Sequence, residues 1–397
     1  MTELFIQKND NKTNIALVEN GKLIEYYLED ENLKGKEGNI YISIVKDIIK
    51  GMQAAFVDIG TEKNSFIHLK DILKKVDEKK EEKENLDNLD ISKEIKKGQK
   101  LLVQIKKDSN IQKGARVSTH INLPGKYIVL LPNTDIITVS SKIEDKKEQE
   151  RLKELVRKNL SANNGAIVRT SAEGKTKEII KDIKYVEEKW ENILNTGVKE
   201  NSNSPELIYE SEDIVQKMLL DLSDQKINKI IINDEKRYKE LKKMFSNNEE
   251  YKNIEVELVK KSEILDKYDM KNQIEKMQNR KIWLKCGGFI TIDKTEALTA
   301  IDVNTGKYTG NKNAEDTIFK VNKEATLEIA KQIRLRDIGG IIIIDYIDMN
   351  NENDKKKIQD LLTEELKKDR SKTQVEGFTK LDLMEITRKH ICSHYAQ

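Results

Sequence analysis

The run GGIIIIDYIDM, residues 339–349, sets four isoleucines in a row directly before an aspartate. It predicts a fully apolar strand ending in acids, the kind of strand an α/β layer is built on. Its neighbours agree with that layer. KIWLKCGGFITIDKTEALTAIDVN reads as antiparallel strands around Gly287-Gly288, and DTIFKVNKEATLEIAKQIRLR as an amphipathic helix. A second helix from about Asn353 to Asp369, then a short strand plus helix, completes the layer expected over residues 281–397.

At 397 residues the chain is too long for one core and predicts several domains. In residues 1–36, IALVENGKLIEYYLED places two apolar runs around Asn20-Gly21, so a β-hairpin opens the fold. GNIYISIVKDIIKGMQAAFVDIGTEKNSFIHLKDI and KKGQKLLVQIKKD give short strands punctuated by Gly38, Gly51 and Gly60, the pattern of a small β-barrel over residues 37–119. Within it, residues 74–100 are dominated by Lys, Glu, Asp and Asn and read as a solvated insertion between strands. Residues 120–206 add further strands and two helices, and close on the polar VKENSNSPEL, a linker. The α/β alternation of residues 207–280 is too small for a complete doubly wound domain, so it is expected to complete the opening segment across the inserted barrel.

Lys plus Arg number 72 against 70 for Asp plus Glu, so a net charge of +2 hides a 36% charged composition and local charge must identify any polyanion partner. Hydrophobic residues at 37% are enough for several small cores and argue against a disordered chain. No apolar run approaches the roughly 18 residues of a membrane helix, MTELFIQKND has no signal-peptide core, and Cys286 and Cys392 suggest no disulfide framework. The expectation is a cytoplasmic protein without a membrane span.

Asp302 in EALTAIDVN and Asp345 in GGIIIID stand where apolar strands emerge at their carboxyl ends, the place where open α/β sheets bind ligands. Brought together, two carboxylates repel and stay ionised only with a cation between them, and hard oxygen ligands suit magnesium. Asn304, two residues on, shares the side-chain direction of Asp302 in a strand and can hold a carboxylate, a water or the metal; Asp348 ranks behind these. The alternative is that each aspartate caps the next turn or helix. Phe56 and Phe66 are the aromatics of the barrel and would stack bases from an outer face, against the alternative that they fill its core. From Lys93 to Lys126 the charge is strongly basic, with Lys106, Lys113 and Arg116 in the stripe, as an oligonucleotide footprint requires. Arg169-Thr170 sits between a strand and a turn, where guanidinium and hydroxyl can grip a terminal phosphate. The four histidines show no metal-ligand spacing, and neither a Ser/His/Asp arrangement nor a Walker A motif is visible, so hydrolysis would have to be metal-driven.

In this order the motifs resemble the ribonuclease E/G family over essentially the whole chain. GNIYISIVKDIIKGMQAAFVDIG resembles its S1 domain, QKGARVSTHINLPGKYIVLLP and IVRTSAEG its 5′-sensor region, and EALTAIDVNTGKYTG with RLRDIGGIIIIDYIDM its catalytic subdomain. The resemblance implies an α+β multidomain chain: an RNase H-like fold (1–36 and 207–280) interrupted by an S1 OB-fold barrel (37–119) and a 5′-sensor region (120–206), then a DNase I-like catalytic subdomain (281–397). It implies that Asp302 and Asp345 bind catalytic Mg2+ with Asn304 in support. By the same resemblance Phe56, Phe66 and Lys113 contact RNA, and Gly125, Val129, Arg169 and Thr170 read a 5′-monophosphate. The implied reaction is endonucleolytic cleavage of single-stranded, AU-rich RNA, leaving 5′-phosphate and 3′-hydroxyl ends, in rRNA processing or mRNA decay.

The chain departs from the family pattern at three points. The CPxC zinc link is not reproduced by Cys392 with His394, so no zinc ligand is expected and a homodimer would need another surface. The large C-terminal scaffold of longer family members is not expected, by resemblance to the compact ribonuclease G type. Lys50 stands where a proline is usual, and Ser65 where a glycine is. Two other readings compete: an S1-domain RNA-binding protein without catalysis, and a magnesium-dependent phosphatase or exonuclease, which would attack chain ends.

Overall fold

The computed structural model describes residues 1–30, 36–72, 90–109, 113–199, 204–222, 227–246, 251, 253–260, 264–306 and 314–391. Most of the charged insertion, and Cys392 with His394, lie outside the described residues. The chain is mixed α/β and divides into two compact units, residues 35–224 and residues 1–34 with 225–397. Among the described residues no helix is long and apolar enough to cross a membrane.

In the 35–224 unit, strands Ile40–Ile49, Ala54–Asp58, Ser65–His68, Arg116–Ser118 and Lys100–Lys107 pair in that order, and the last pairs back with the first. The result is a closed five-stranded barrel, consistent with an OB fold. Alternation places Val45, Val57, Ile67, Val103, Ile105 and Val117 in its interior. The end of the 74–100 insertion is not solvated as expected. Asp90 caps a short helix, Ile91–Glu94, and Ile91 and Ile95 are buried in the barrel core. Two isoleucines four residues apart share one helical face, a pattern masked by the charged residues around them.

The expected boundary before Leu207 also shifts. Glu206–Tyr209 adds an antiparallel strand to Ile40–Ile49, and the next helix, Ile214–Asp221, opens with a capping box between Asp213 and Gln216. Ser211 N–H donates to Asn39 Oδ1 at 2.9 Å, so this stretch belongs with the barrel's unit. A free strand edge recruits a β-rich run wherever the chain can reach it. The unit's second sheet runs Ile137–Val139, Asn164–Val168, Ile128–Pro132, Leu123–Pro124, and helices Lys146–Asn159 and Lys177–Lys199 contribute to its core.

In the other unit, Thr2–Asn9, Lys12–Glu19 and Lys22–Asp30 form an antiparallel meander, and Ile227–Ile232 pairs in parallel with Thr2–Asn9. Asn20 and Gly21 both take positive φ, 49° and 76°, as the tight hairpin turn demands. Its second sheet has the order Lys281–Trp283, Phe289–Lys294, Leu298–Asn304, Gly340–Asp345, Leu383–Arg388, Thr373–Phe378. Helices Ala314–Leu335 and Glu352–Lys367 cover one face, burying Ile290, Ile301, Ile342, Ile344 and Ile386 against Val321, Ile329 and Leu362. The other face carries the alternate, more exposed residues.

The strand plus helix expected near the C-terminus is instead a hairpin. LMEITR alternates with period two, burying Met384, Ile386 and Arg388, and Asp382 accepts the positive φ of its turn. Arg388 is wholly buried and donates to Asp369 Oδ2 and Asp337 Oδ1, both at 2.7 Å, and to the Ile338 carbonyl at 3.0 Å. Burial opposes its charge, and the two carboxylates more than reverse that, leaving its proton affinity raised. It ties the ends of both helices to the start of the Gly340–Asp345 strand, opposite the end that carries Asp345.

Candidate active site

Leu298–Asn304 and Gly340–Asp345 run parallel with Asp302 directly opposite Asp345. Because side chains alternate, Asp302, Asn304 and Asp345 all project from the face the helices leave uncovered, while Ile301, Val303, Ile342 and Ile344 point into the core. Neither aspartate is a helix cap: Asp302 lies within its strand, and Asn351 caps the helix that follows Asp345. Asn304 Nδ2 donates to Asp302 Oδ2, which fixes that carboxylate's orientation. The Asp345 carboxyl is pushed above its ordinary value by partial burial and then by the charges of Asp302 and Asp348.

Mutually repelling oxygen donors of this kind fit a hard divalent cation better than they fit each other. Among the described residues no group of three or more His, Cys, Asp or Glu could hold a metal ion. The two carboxylates could hold such an ion only with water or substrate oxygens completing its coordination.

Residues the sequence reading missed hold this site in place. Asn322 is fully buried, donates to the Ile347 carbonyl at 2.8 Å and accepts from Ile347 N–H at 3.1 Å. Thr326 shares a 2.9 Å hydrogen bond with the buried Tyr346 hydroxyl. Together they fix the turn from Asp345 to Asp348. Both are polar residues beside Val321, Ala325 and Ile329 on the apolar stripe of their helix, which is the signal that could have found them.

On the barrel, Phe56 and Phe66 are register partners, their rings edge to face with centroids 6.2 Å apart. They are half-buried and alternate with the interior Ala55, Val57 and Ile67, so they lie on the outer face and do not fill the core. Lys113 is exposed, and at Gly114 the chain passes so close to Asn64 that a Cβ would stand 2.0 Å from its carbonyl oxygen. Only glycine allows that approach to the strand carrying Phe66. Arg116 of the basic stripe is engaged with Asp71 at 2.9 Å. The Ser65 hydroxyl is buried without a hydrogen-bond partner.

Of Gly125, Val129, Arg169 and Thr170, Gly125 and Arg169 are in contact. Arg169 Nη1 donates to the Gly125 carbonyl at 3.0 Å and Nη2 pairs with Asp221; Thr170 shares a 2.9 Å hydrogen bond with Ser140. Val129 is half-buried on the adjoining strand, with Ile167 opposite. Asp182, unforeseen from sequence, organises the turn by accepting N–H bonds from Lys126, Tyr127 and Ile128 at 3.1, 2.7 and 3.0 Å. Burial raises its proton affinity, partly offset by those three donors and by Arg169.

A carboxylate pair on the open face of one sheet and, in the other unit, a closed barrel with paired outward aromatics are features compatible with a nucleic-acid enzyme. The model of the Ribonuclease E/G family matches residues 122–391. The chain is 39% identical over 390 residues to the ribonuclease G of Escherichia coli, covering 98% of this chain and 79% of that protein. It is 38% identical over 394 residues to the ribonuclease G of Haemophilus influenzae, and 33% over 362 residues to the ribonuclease E of Nostoc sp., of which the match spans 51%. The chain belongs to the ribonuclease E/G family, and as a member of it is an endoribonuclease.

Proposed function

We propose that the chain cuts single-stranded, AU-rich RNA internally in rRNA processing or mRNA decay, using Mg2+ held by Asp302 and Asp345, and that it senses a 5′-monophosphate. The observation that carries this reading is the register of Asp302 opposite Asp345, with Asn304 bonded to the first. When bound there, the ion would acidify a water and offset charge on the scissile phosphate. The protein's own part is positional: Asn304 orients Asp302, and Asn322 and Thr326 hold the turn after Asp345.

In this reading Phe56 and Phe66 stack bases and Lys113 meets the backbone. A terminal phosphate would join Arg169, Thr170 and the Gly125 turn, with Val129 as the apolar wall, and would compete with Asp221 for the guanidinium. The unit of 1–34 and 225–397 supports an RNase H-like part and a DNase I-like catalytic part, with the S1 and sensor parts in the other unit and the second RNase H-like part starting near 227. The test is an AU-rich oligonucleotide carrying a 5′-monophosphate or a 5′-hydroxyl, in magnesium or EDTA. Internal cuts that require magnesium and favour the monophosphate are expected, with 3′-hydroxyl products. Cuts only at chain ends, or cleavage in EDTA, overturn the reading.

A further inference from the structure

The open face of the sheet that carries Asp302 and Asp345 also carries an aromatic pair. Trp283, 60% exposed, is the register partner of Phe289, and Phe289 is in turn the partner of Asn304. The next row along the strands is Lys281, Thr291, Asp302, Asp345. The two rings pack edge to face at 5.3 Å, and Lys281 Nζ sits 3.5 Å from the Phe289 centroid and 4.2 Å from the Trp283 centroid. Gly306 lies beside this ring, where a Cβ would stand 3.4 Å from Phe289 Cδ1 and 2.5 Å from the Gly287 carbonyl oxygen, so only glycine fits there. Neighbouring strands are about 4.8 Å apart, so the indole is roughly 10 Å from Asn304.

The exposed indole lies beside Phe289 and the cation of Lys281, so a large aromatic face is presented to solvent on the open side of the sheet. Among the described residues Lys281 forms no ion pair, whereas the neighbouring Arg280 is committed to Asp293 by hydrogen bonds of 2.5 and 2.6 Å. Lys281 rests on the two rings with no ion pair among those residues, so a base on the exposed indole and a phosphate beside it would each find a partner there. We infer that Trp283 and Phe289 form a stacking subsite for the nucleobase flanking the scissile bond, with Lys281 gripping the adjacent phosphate. The inference rests on the proposed nuclease centre at Asp302 and Asp345 and adds to it how the strand is held flat against that centre. Because a ring stacks on any base, this subsite contributes grip without sequence preference.

The chain has two tryptophans, and Trp190 is only 7% exposed. A Trp190→Phe, Asp345→Asn protein therefore reports Trp283 emission without cutting the RNA. Titration with a single-stranded AU-rich oligonucleotide should quench that emission in step with binding measured by anisotropy. In the cleavage-competent protein, Trp283→Ala should raise KM roughly tenfold with kcat little changed, the loss expected for one stacked base, and Trp283→Tyr should restore most of it. Unquenched emission from RNA-bound protein overturns the subsite, as does an unaltered KM. So does a Trp283→Ala protein that changes its sedimentation while keeping its KM, which would make this face a protein contact. Absence of cleavage by the unaltered protein would strike the nuclease reading, and the quenching would still be measurable on its own.

Discussion

Two arginine–aspartate contacts in the same unit have similar lengths and should differ greatly in worth. Arg388 meets Asp369 and Asp337 at 2.7 Å with all three side chains between 0% and 2% exposed, while Arg280 meets Asp293 at 2.5 Å with side chains 69% and 46% exposed. Replacing Arg388 by Met leaves two carboxylates buried without their cation. Breaking a buried pair costs about 3–5 kcal/mol; N–H donors such as Ser371 and Ile391 still reach the two carboxylates, but their buried counter-charge is gone. At about 1.4 kcal/mol per factor of ten, the folded-to-unfolded ratio falls between a hundredfold and several thousandfold. The equivalent change at Arg280 should leave the urea midpoint unmoved, because water already solvates both partners.

Urea unfolding followed by circular dichroism gives the comparison. Hydrogen exchange at Ile342 and Ile344, in the strand that Arg388 anchors, localises it. Arg388→Lys, which keeps the charge and loses the fork, should fall between. Adding Asp337→Asn and Asp369→Asn to Arg388→Met should recover part of the loss, since the uncompensated charges go with them. Equal effects at Arg388 and Arg280 would refute the argument that burial, not contact length, sets the value of these pairs.

Other expectations follow from the same contacts. Asn322→Ala removes both bonds to Ile347 and should lower kcat far more than RNA affinity, read by single-turnover kinetics against filter binding. Gly125→Ala puts a Cβ 2.6 Å from Asp182 Oδ2, which two N–H groups hold in place while a third holds Oδ1, so the 125–128 turn must open; any preference for 5′-monophosphate over 5′-hydroxyl RNA, as the proposed function has it, should fall while the rate on hydroxyl substrate stays. Glu148 bonds Arg151 and the Gly174 N–H and titrates near 2 instead of the ordinary 4.5. Its folded value is depressed, so its stabilisation is whole above pH 4.5 and lost as pH falls toward 2. The gap in thermal midpoint between the parent protein and Glu148→Gln should close across that window.

What the sequence discloses of this protein is what is local. Asn20-Gly21 states its own turn, and the isoleucine run states both its strand and the exit at Asp345. The parallel register that sets Asp302 opposite Asp345 is seen only in the structure. The features that escaped depend on partners distant in sequence. Asp182 acts on a turn of residues 126–128, Asn322 on Ile347, and Asp221 on Arg169. Each is a polar residue whose partner is supplied by another element, and helical spacing alone does not show what it meets. The closing hairpin is hard to see in sequence because its alternation is short and mixed with charges, and Arg388 counts as an interior residue only with Asp337 and Asp369 around it.

The most direct test of the central claim is to separate cleavage from binding at the carboxylate pair. Asp302→Asn and Asp345→Asn change one atom each and keep the shape of the site. With magnesium present, each should bring internal cleavage of a single-stranded AU-rich RNA to background, while affinity, carried by phosphate and stacking contacts elsewhere, stays near that of the parent. Cleavage surviving in either variant, or lost only in step with RNA binding, would contradict a catalytic centre at Asp302 and Asp345.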